Sequence, residues 1–107
     1  MADSSYIVVL ITTPDPGEAE KISRLLLEQK KAACVNIIPG VASAYWWEGK
    51  IESAEESLLI AKTSATQLPG LISLVKAAHS YRVPEIIALP VNGGNRDYLE
   101  WIDRSLA

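Results

Sequence analysis

The chain contains one cysteine, Cys34, and one histidine, His79. A single cysteine excludes an intrachain disulfide. A closed zinc site takes four ligands, commonly Cys and His, so a soft-metal site would need several copies of the chain. Positive charge is scarce too. Ten Lys and Arg stand against 13 Asp and Glu, for a formal net charge of −3. That leaves no broad cationic surface for nucleic acid, whose affinity rests on phosphate contacts, or for an anionic membrane. Long hydrophobic runs are also missing: Ser57-Leu58-Leu59-Ile60-Ala61 falls far short of the roughly 20 apolar residues that span a bilayer. The N-terminal MADSSY lacks the basic region and apolar stretch of a secretory signal, so the expected location is the cytoplasm. No repeat, linker or low-complexity segment interrupts the sequence. Its 107 residues, 49% hydrophobic and 21% charged, are expected to form a single domain over 1–107.

What is present reads as alternating strands and helices. Tyr6 to Thr13 is β-branched and apolar, a strand apolar on both faces. Asp15-Pro16-Gly17-Glu18 predicts a helix start, with Asp15 as cap, Pro16 at the first position and Glu18 completing a capping box. Ala19, Ile22, Leu25 and Leu26 follow helical spacing, and Lys30 and Lys31 are expected to close the helix where cations suit the dipole. A second strand starts at Ala32 or Ala33 and runs to Trp47, with a bulge or bend at Pro39-Gly40. Glu48-Gly49-Lys50 connects it to a third strand, Ile51 to Lys62. Ser64 or Thr66 then caps a helix whose apolar face is Leu68, Leu71, Ile72, Val75 and Ala78. A fourth strand covers Glu85 to Val91, and a final helix Asp97 to Leu106.

Without the final helix, the order β-α-β-β-α-β is the ferredoxin-like arrangement, an α+β fold with a four-stranded antiparallel sheet and two helices on one face. A monomer of that design buries one sheet face, yet strands one, three and four are apolar on both. Leaving about 500 Å2 of apolar area in water, at roughly 25 cal/mol per Å2, forgoes roughly 12 kcal/mol. That equals a whole domain's net stability, so other copies of the chain are expected to cover the open face. The aromatics of Tyr45-Trp46-Trp47 fit the same idea. Neighbours in a strand point to opposite faces, so Tyr45 and Trp47 share one face and Trp46 takes the other. Which of them meets a neighbouring subunit stays open across the Pro39-Gly40 break. All three are candidate interface anchors.

The run from Ala32-Ala33-Cys34-Val35-Asn36 through Pro39-Gly40-Val41, then Ser43, Tyr45, Trp47, Gly49 and Lys50, resembles the CutA family of divalent-cation tolerance proteins. So do Glu56 with Lys62-Thr63, the segment from His79 to Ile86, and Gly94 to Trp101. The resemblance implies a tight trimer whose sheets face the three-fold axis, with the long second and third strands pairing between subunits. It implies copper or another divalent metal as the bound ion, and a trimer shaped like the PII signalling proteins. Some members of the family carry a cysteine in the first strand and two adjacent histidines before the tyrosine. The matching positions here are Ile11, Ala78 and His79, and the usual His-Pro-Tyr is His79-Ser80-Tyr81.

The metal candidates are therefore Cys34 and His79. Cys34 reads as a soft ligand or as a small buried strand residue, and His79 as a ligand or as a cation at a helix end. Lys62, Glu56, Tyr81, Glu85 and Trp101 are candidates to line an intersubunit cleft that takes a metal ion or small molecule; the bland alternative is interface hydrogen bonds and ion pairs. Glu52, Glu55 and Glu56 read as a hard-cation site or, preferred, a solvated hairpin rim, and Asn92 to Asn95 as an anion nest or, preferred, a plain connection. No Ser-His-Asp order, phosphate loop or acid/base pair supports catalysis. The leading function is a trimeric cytoplasmic protein of divalent-cation tolerance, not an enzyme. The alternatives are a PII-like small-molecule sensor and a stable scaffold anchoring a partner protein.

Overall fold

The computed structural model describes residues 5–107; Met1 to Ser4 of the N-terminal stretch read above lie outside them. The elements are β1 (Tyr6–Thr13), α1 (Pro16–Glu28), β2 (Cys34–Trp47), β3 (Lys50–Ser64), α2 (Leu68–Ala78), β4 (Ile86–Pro90) and α3 (Arg96–Leu106). One four-stranded sheet has the order β2-β3-β1-β4, with every neighbouring pair antiparallel. This is the expected ferredoxin-like α+β fold. β3 and β1 are central because β3 lies between β2 and β1, while β1 carries β4 on its other edge.

Alternation decides which side of the sheet is covered. Val9 and Ile11 of β1 and Leu59 and Ala61 of β3 are fully buried, and they pack with Ile22 and Leu26 of α1 and Leu71 and Val75 of α2. Their strand neighbours point the other way. Val8 and Leu10, Leu58 and Ile60, Ile87 and Leu89 stand in register on the opposite face. Among the described residues that face carries only α3 at one end, where Tyr6, Leu99 and Ile102 form a second small core. Ile87 and Leu89 stay about half exposed. The two-faced apolar pattern thus survives folding as an uncovered apolar surface.

The turns follow local chemistry, with three departures from expectation. Asp15 caps α1 by accepting from the Glu18 N–H at 2.8 Å, but Glu18 does not return the bond as a capping box would. Its carboxylate instead accepts from the Ser80 N–H and hydroxyl at 3.0 and 3.1 Å, tying the start of α1 to the end of α2. α1 stops at Glu28, so Lys30 and Lys31 lie past it. Lys30 takes φ +59°; the Lys31 N–H reaches the Leu26 carbonyl and the Lys30 N–H that of Leu27. That is a Schellman ending, built without its usual glycine. At α2 neither Ser64 nor Thr66 caps a backbone N–H; their hydroxyls bond each other at 3.0 Å.

The break in β2 is a bulge. Ile38 pairs with Leu58 but Val41 with Glu56, so β2 advances three residues while β3 advances two. Gly40 holds φ +71° there, a conformation that suits a residue without a Cβ. The extra residue keeps Ile38 and Val41 on one face. It therefore places Tyr45 and Trp47, opposite Glu52 and Lys50, on the same side as Glu56 and the open sheet face. Trp46 pairs with Ile51 on the reverse side, 73% and 66% exposed. Glu48 and Gly49 close the hairpin with positive φ at both positions, as a two-residue loop matched to the strand twist requires.

α3 is fastened by the Tyr6 hydroxyl, which donates to Asp103 at 2.5 Å. The bond and the negative charge of Asp103 raise the Tyr6 phenol above its ordinary value near 10.0. A phenol held protonated by folding contributes stability below the unfolded value, and that contribution disappears as pH rises through the folded value. Wild type should therefore lose thermal stability above about pH 10 more steeply than Tyr6→Phe, as followed by circular dichroism. Parallel curves for the two proteins would remove this bond from the account of α3.

Candidate functional site

The sequence candidates separate into two groups, one near the C-terminal end of β3 and one near its middle. Cys34 lies across from Lys62, and Lys62 across from Val8. The Lys62 ammonium donates to the Asn36 side chain, while the Cys34 thiol reaches the same oxygen at 3.9 Å. Above them Tyr98 stacks on Trp101, ring centres 5.4 Å apart. Partial burial raises the Tyr98 phenol, and the Cys34 thiol beside it adds to the effect. Cys34 is half-buried at this edge, neither sealed in the core nor fully exposed.

Glu56, Tyr81 and Glu85 belong to the other group. They line a cleft of about 920 Å3 between the base of the β2–β3 hairpin and the segment joining α2 to β4. Tyr45 and Trp47 form its aromatic wall, and Arg82 also borders it; Trp46 lines it from a position whose side chain lies on the reverse face. Glu56 is only 6% exposed, which corrects its reading as part of a solvated rim; Glu52 and Glu55 are exposed. Glu56 is covered because the Tyr81 hydroxyl folds over it and donates at 2.7 Å. Burial, first, and the Glu56 carboxylate, second, push the Tyr81 phenol well above its ordinary value. Lys62 and Trp101, grouped with these residues from sequence, do not line this cleft within one chain. Lys62 is six residues along β3 from Glu56, roughly 20 Å at 3.3–3.4 Å per residue.

His79 sits behind the cleft, its side chain fully buried. Its Nε2 lies 2.7 Å from the Thr12 carbonyl, and its Nδ1 accepts from the Tyr81 N–H at 3.0 Å. A carbonyl only accepts, so the ring carries its hydrogen on Nε2. Glu18 approaches Nδ1 at 3.3 Å. Both ring nitrogens are therefore occupied, and what they hold in place is the Tyr81 backbone. His79 reads from sequence as a ligand or a helix-end cation; in the fold it is instead a clamp between β1 and the cleft segment. The Ser80-Tyr81 polar run after it was the only available hint.

A metal held by Cys34 and His79 of one chain does not fit this arrangement. Cys34 is level with Val8 and His79 with Thr12, a separation of roughly 13 Å along the strand at 3.3–3.4 Å per residue. Among the described residues no three or more His, Cys, Asp or Glu side chains gather as an ion site. His79→Ala should strand the Thr12 carbonyl and the Tyr81 N–H, at about 1–3 kcal/mol for each buried group left unpaired. Urea unfolding measures this; a loss below about 1 kcal/mol would show that the clamp is not structural.

The family model described as CutA1 divalent ion tolerance protein matches residues 7–105. Divalent-cation tolerance protein CutA of Thermus thermophilus is 50% identical over 95 residues, covering 89% of this chain and 92% of that one. Protein CutA 1, chloroplastic, of Oryza sativa subsp. japonica is 50% identical over 99 residues, 92% of this chain. This chain spans about half the length of the two plant chloroplastic relatives it matches, 56% and 54%. Among solved structures, the periplasmic divalent cation tolerance protein CutA of Archaeoglobus fulgidus superposes with a TM-score of 0.93 at 45% identity, covering 95% of this chain and 99% of that chain. CutA1 of Oryza sativa gives 0.93 at 47% identity, with coverage of 98% and 96%. Sequence and fold agree over nearly the whole chain: it belongs to the CutA1 divalent ion tolerance family.

Proposed function

We propose that the chain acts in divalent-cation tolerance as a homotrimer, binding ions rather than transforming a substrate. The observation that carries the assembly is the apolar face of Val8, Leu10, Leu58, Ile60, Ile87 and Leu89, which no element among the described residues covers along most of its length. Copies packing through this face would bring the Cys34 edge of one chain towards the cleft of another. That offers a route to a shared metal site that one chain lacks. Copper or another divalent ion is the cargo this reading assigns, with Cys34 as the candidate donor. His79 would have to surrender a structural bond to join it. Its engagement also leaves the only imidazole unavailable for acid-base work, in keeping with a binding role. Tyr45, Trp46 and Trp47 serve as interface anchors in this reading, Trp47 through the open-face side and Trp46 through the reverse side.

The cytoplasm is the proposed compartment, in keeping with a single free thiol. Among the described residues no helix is long and apolar enough to cross a membrane. Relatives carry the names chloroplastic and periplasmic, so cell fractionation decides.

A second reading, small-molecule sensing in the manner of the PII proteins, is favoured by one feature: a buried carboxylate, Glu56, at an aromatic-lined cleft. Lys62 and Trp101 would complete that cleft only from a neighbouring copy.

Sedimentation equilibrium should give three chain masses, and Trp46→Ala and Trp47→Ala should each lower the concentration-dependent dissociation midpoint. A monomer, or unchanged midpoints in both variants, would sink the trimer reading. Calorimetric titration with Cu(II), Cu(I) and Zn(II) should show stoichiometric binding that Cys34→Ala weakens and His79→Ala leaves largely intact. Binding indifferent to Cys34 would remove the thiol from the site.

A further inference from the structure

Two acceptors face each other behind the cleft. His79 Nδ1 and Glu18 Oε2 lie 3.3 Å apart, and with the ring hydrogen on Nε2 no proton stands between them. Backbone donors from one short segment serve both instead. The Tyr81 N–H donates to Nδ1 at 3.0 Å, and the Ser80 N–H and hydroxyl donate to Oε2 at 3.0 and 3.1 Å. The imidazole is fully enclosed and Glu18 is only 16% exposed.

A further proton can enter the ring only at Nδ1, because Nε2 already donates to the Thr12 carbonyl at 2.7 Å. Protonated Nδ1 no longer accepts. It becomes a donor to the Glu18 carboxylate, a charge-assisted bond, and it meets the Tyr81 N–H as one N–H against another. Nδ1 therefore serves Tyr81 or Glu18, never both. The other elements around His79 bring no competing charge. β1 offers the Thr12 carbonyl, α2 offers the Val75 carbonyl to the His79 N–H, and the Tyr81 ring lies tilted with its centre 4.8 Å away. Among the described residues Glu18 is the only acid paired with the imidazole. Glu56 of β3 lies beyond, on the far side of the Tyr81 hydroxyl that donates to it.

We propose that His79 is a proton-operated latch: protonation passes Nδ1 from the Tyr81 N–H to Glu18 and releases the Tyr81 backbone, and with it the hydroxyl that covers Glu56. An ordinary imidazole gains its proton between about pH 5 and 8, so mild acid is the signal. The bistable element is the Ser80-Tyr81 segment, which Glu18 tethers in both states and His79 in one. The latch is buried within one chain. It works whether the cleft is open or filled by a neighbouring copy. It is also separate from the ion site: both nitrogens of His79 are engaged, and Cys34, the candidate donor, is level with Val8 rather than Thr12.

The test uses the full wild-type chain labelled with 15N in histidine and tyrosine. Its one His and four Tyr keep the NMR spectrum simple. As pH falls from about 8 to 5, the Nδ1 resonance should move from an acceptor to an N–H position. The Tyr81 amide should move with the same midpoint. Its protection against hydrogen exchange should fall by about tenfold, the worth of one hydrogen bond, while the Tyr6 amide in β1 holds still. Glu18→Gln keeps an oxygen for Ser80 but removes the anion that receives the new N–H, so the release should then need a lower pH. A Tyr81 amide that stays put while the imidazole titrates overturns the latch. So does an imidazole that takes up no proton while the chain stays folded, or a midpoint that Glu18→Gln leaves unchanged. If Glu18→Gln does not fold, the wild-type titration decides alone.

Discussion

A sheet has two faces, and in this chain two helices cover only one of them. That constraint organises the rest of the molecule. The covered face holds Val9, Ile11, Leu59 and Ala61 against α1 and α2, with no measurable exposure. The other is nearly as apolar, because β1, β3 and β4 continue their hydrophobic residues through both parities. α3 covers one end through Tyr6, Leu99 and Ile102, and its short bond from Tyr6 to Asp103 fixes how far it reaches. The remaining area suits a protein whose stability is completed by its own copies, since the hydrophobic gain scales with the area removed from water.

The hairpin of β2 and β3 follows from the same constraint. It projects past β1, so its outer half has no third strand and no helix beneath it. Its residues are accordingly exposed in a single chain, including three large aromatics. The bulge at Pro39-Gly40 turns this outgrowth into a wall. By inserting one residue it returns Tyr45 and Trp47 to the side of Glu56, so the hairpin's aromatic face borders a cleft instead of continuing the core. The cleft's opposite wall is the segment after α2, positioned by His79 on the Thr12 carbonyl and by Glu18 on Ser80. One imidazole and one carboxylate from the covered side thereby hold the chemistry on the open side.

Membership of the CutA1 family and the geometry meet most directly at the metal question. The family name speaks of divalent ions, while Cys34 and His79 occupy different ends of one strand pair. A site shared between copies would reconcile the two.

Element order, the β2–β3 hairpin and the doubly apolar sheet were all legible in the sequence, because alternation, helical spacing and capping residues act over a few neighbours. Asp15 caps as its type predicts, and Pro39-Gly40 breaks β2 where it stands. Other features depended on contacts between distant residues. Lys30 ends α1 in a left-handed conformation without a glycine to announce it. Glu18 leaves its capping box for Ser80, 62 residues away. Glu56 looked like one of three solvated acids until Tyr81 closed over it, 25 residues later. The separation of Lys62 and Glu56, six residues apart in one strand, was by contrast legible from spacing alone. The sequence determined the elements and their apolar faces, since these are local properties of backbone and side chain. Only the tertiary structure decided which polar groups were buried together, because burial and hydrogen-bond partnership belong to pairs that the fold, not the chain order, makes neighbours.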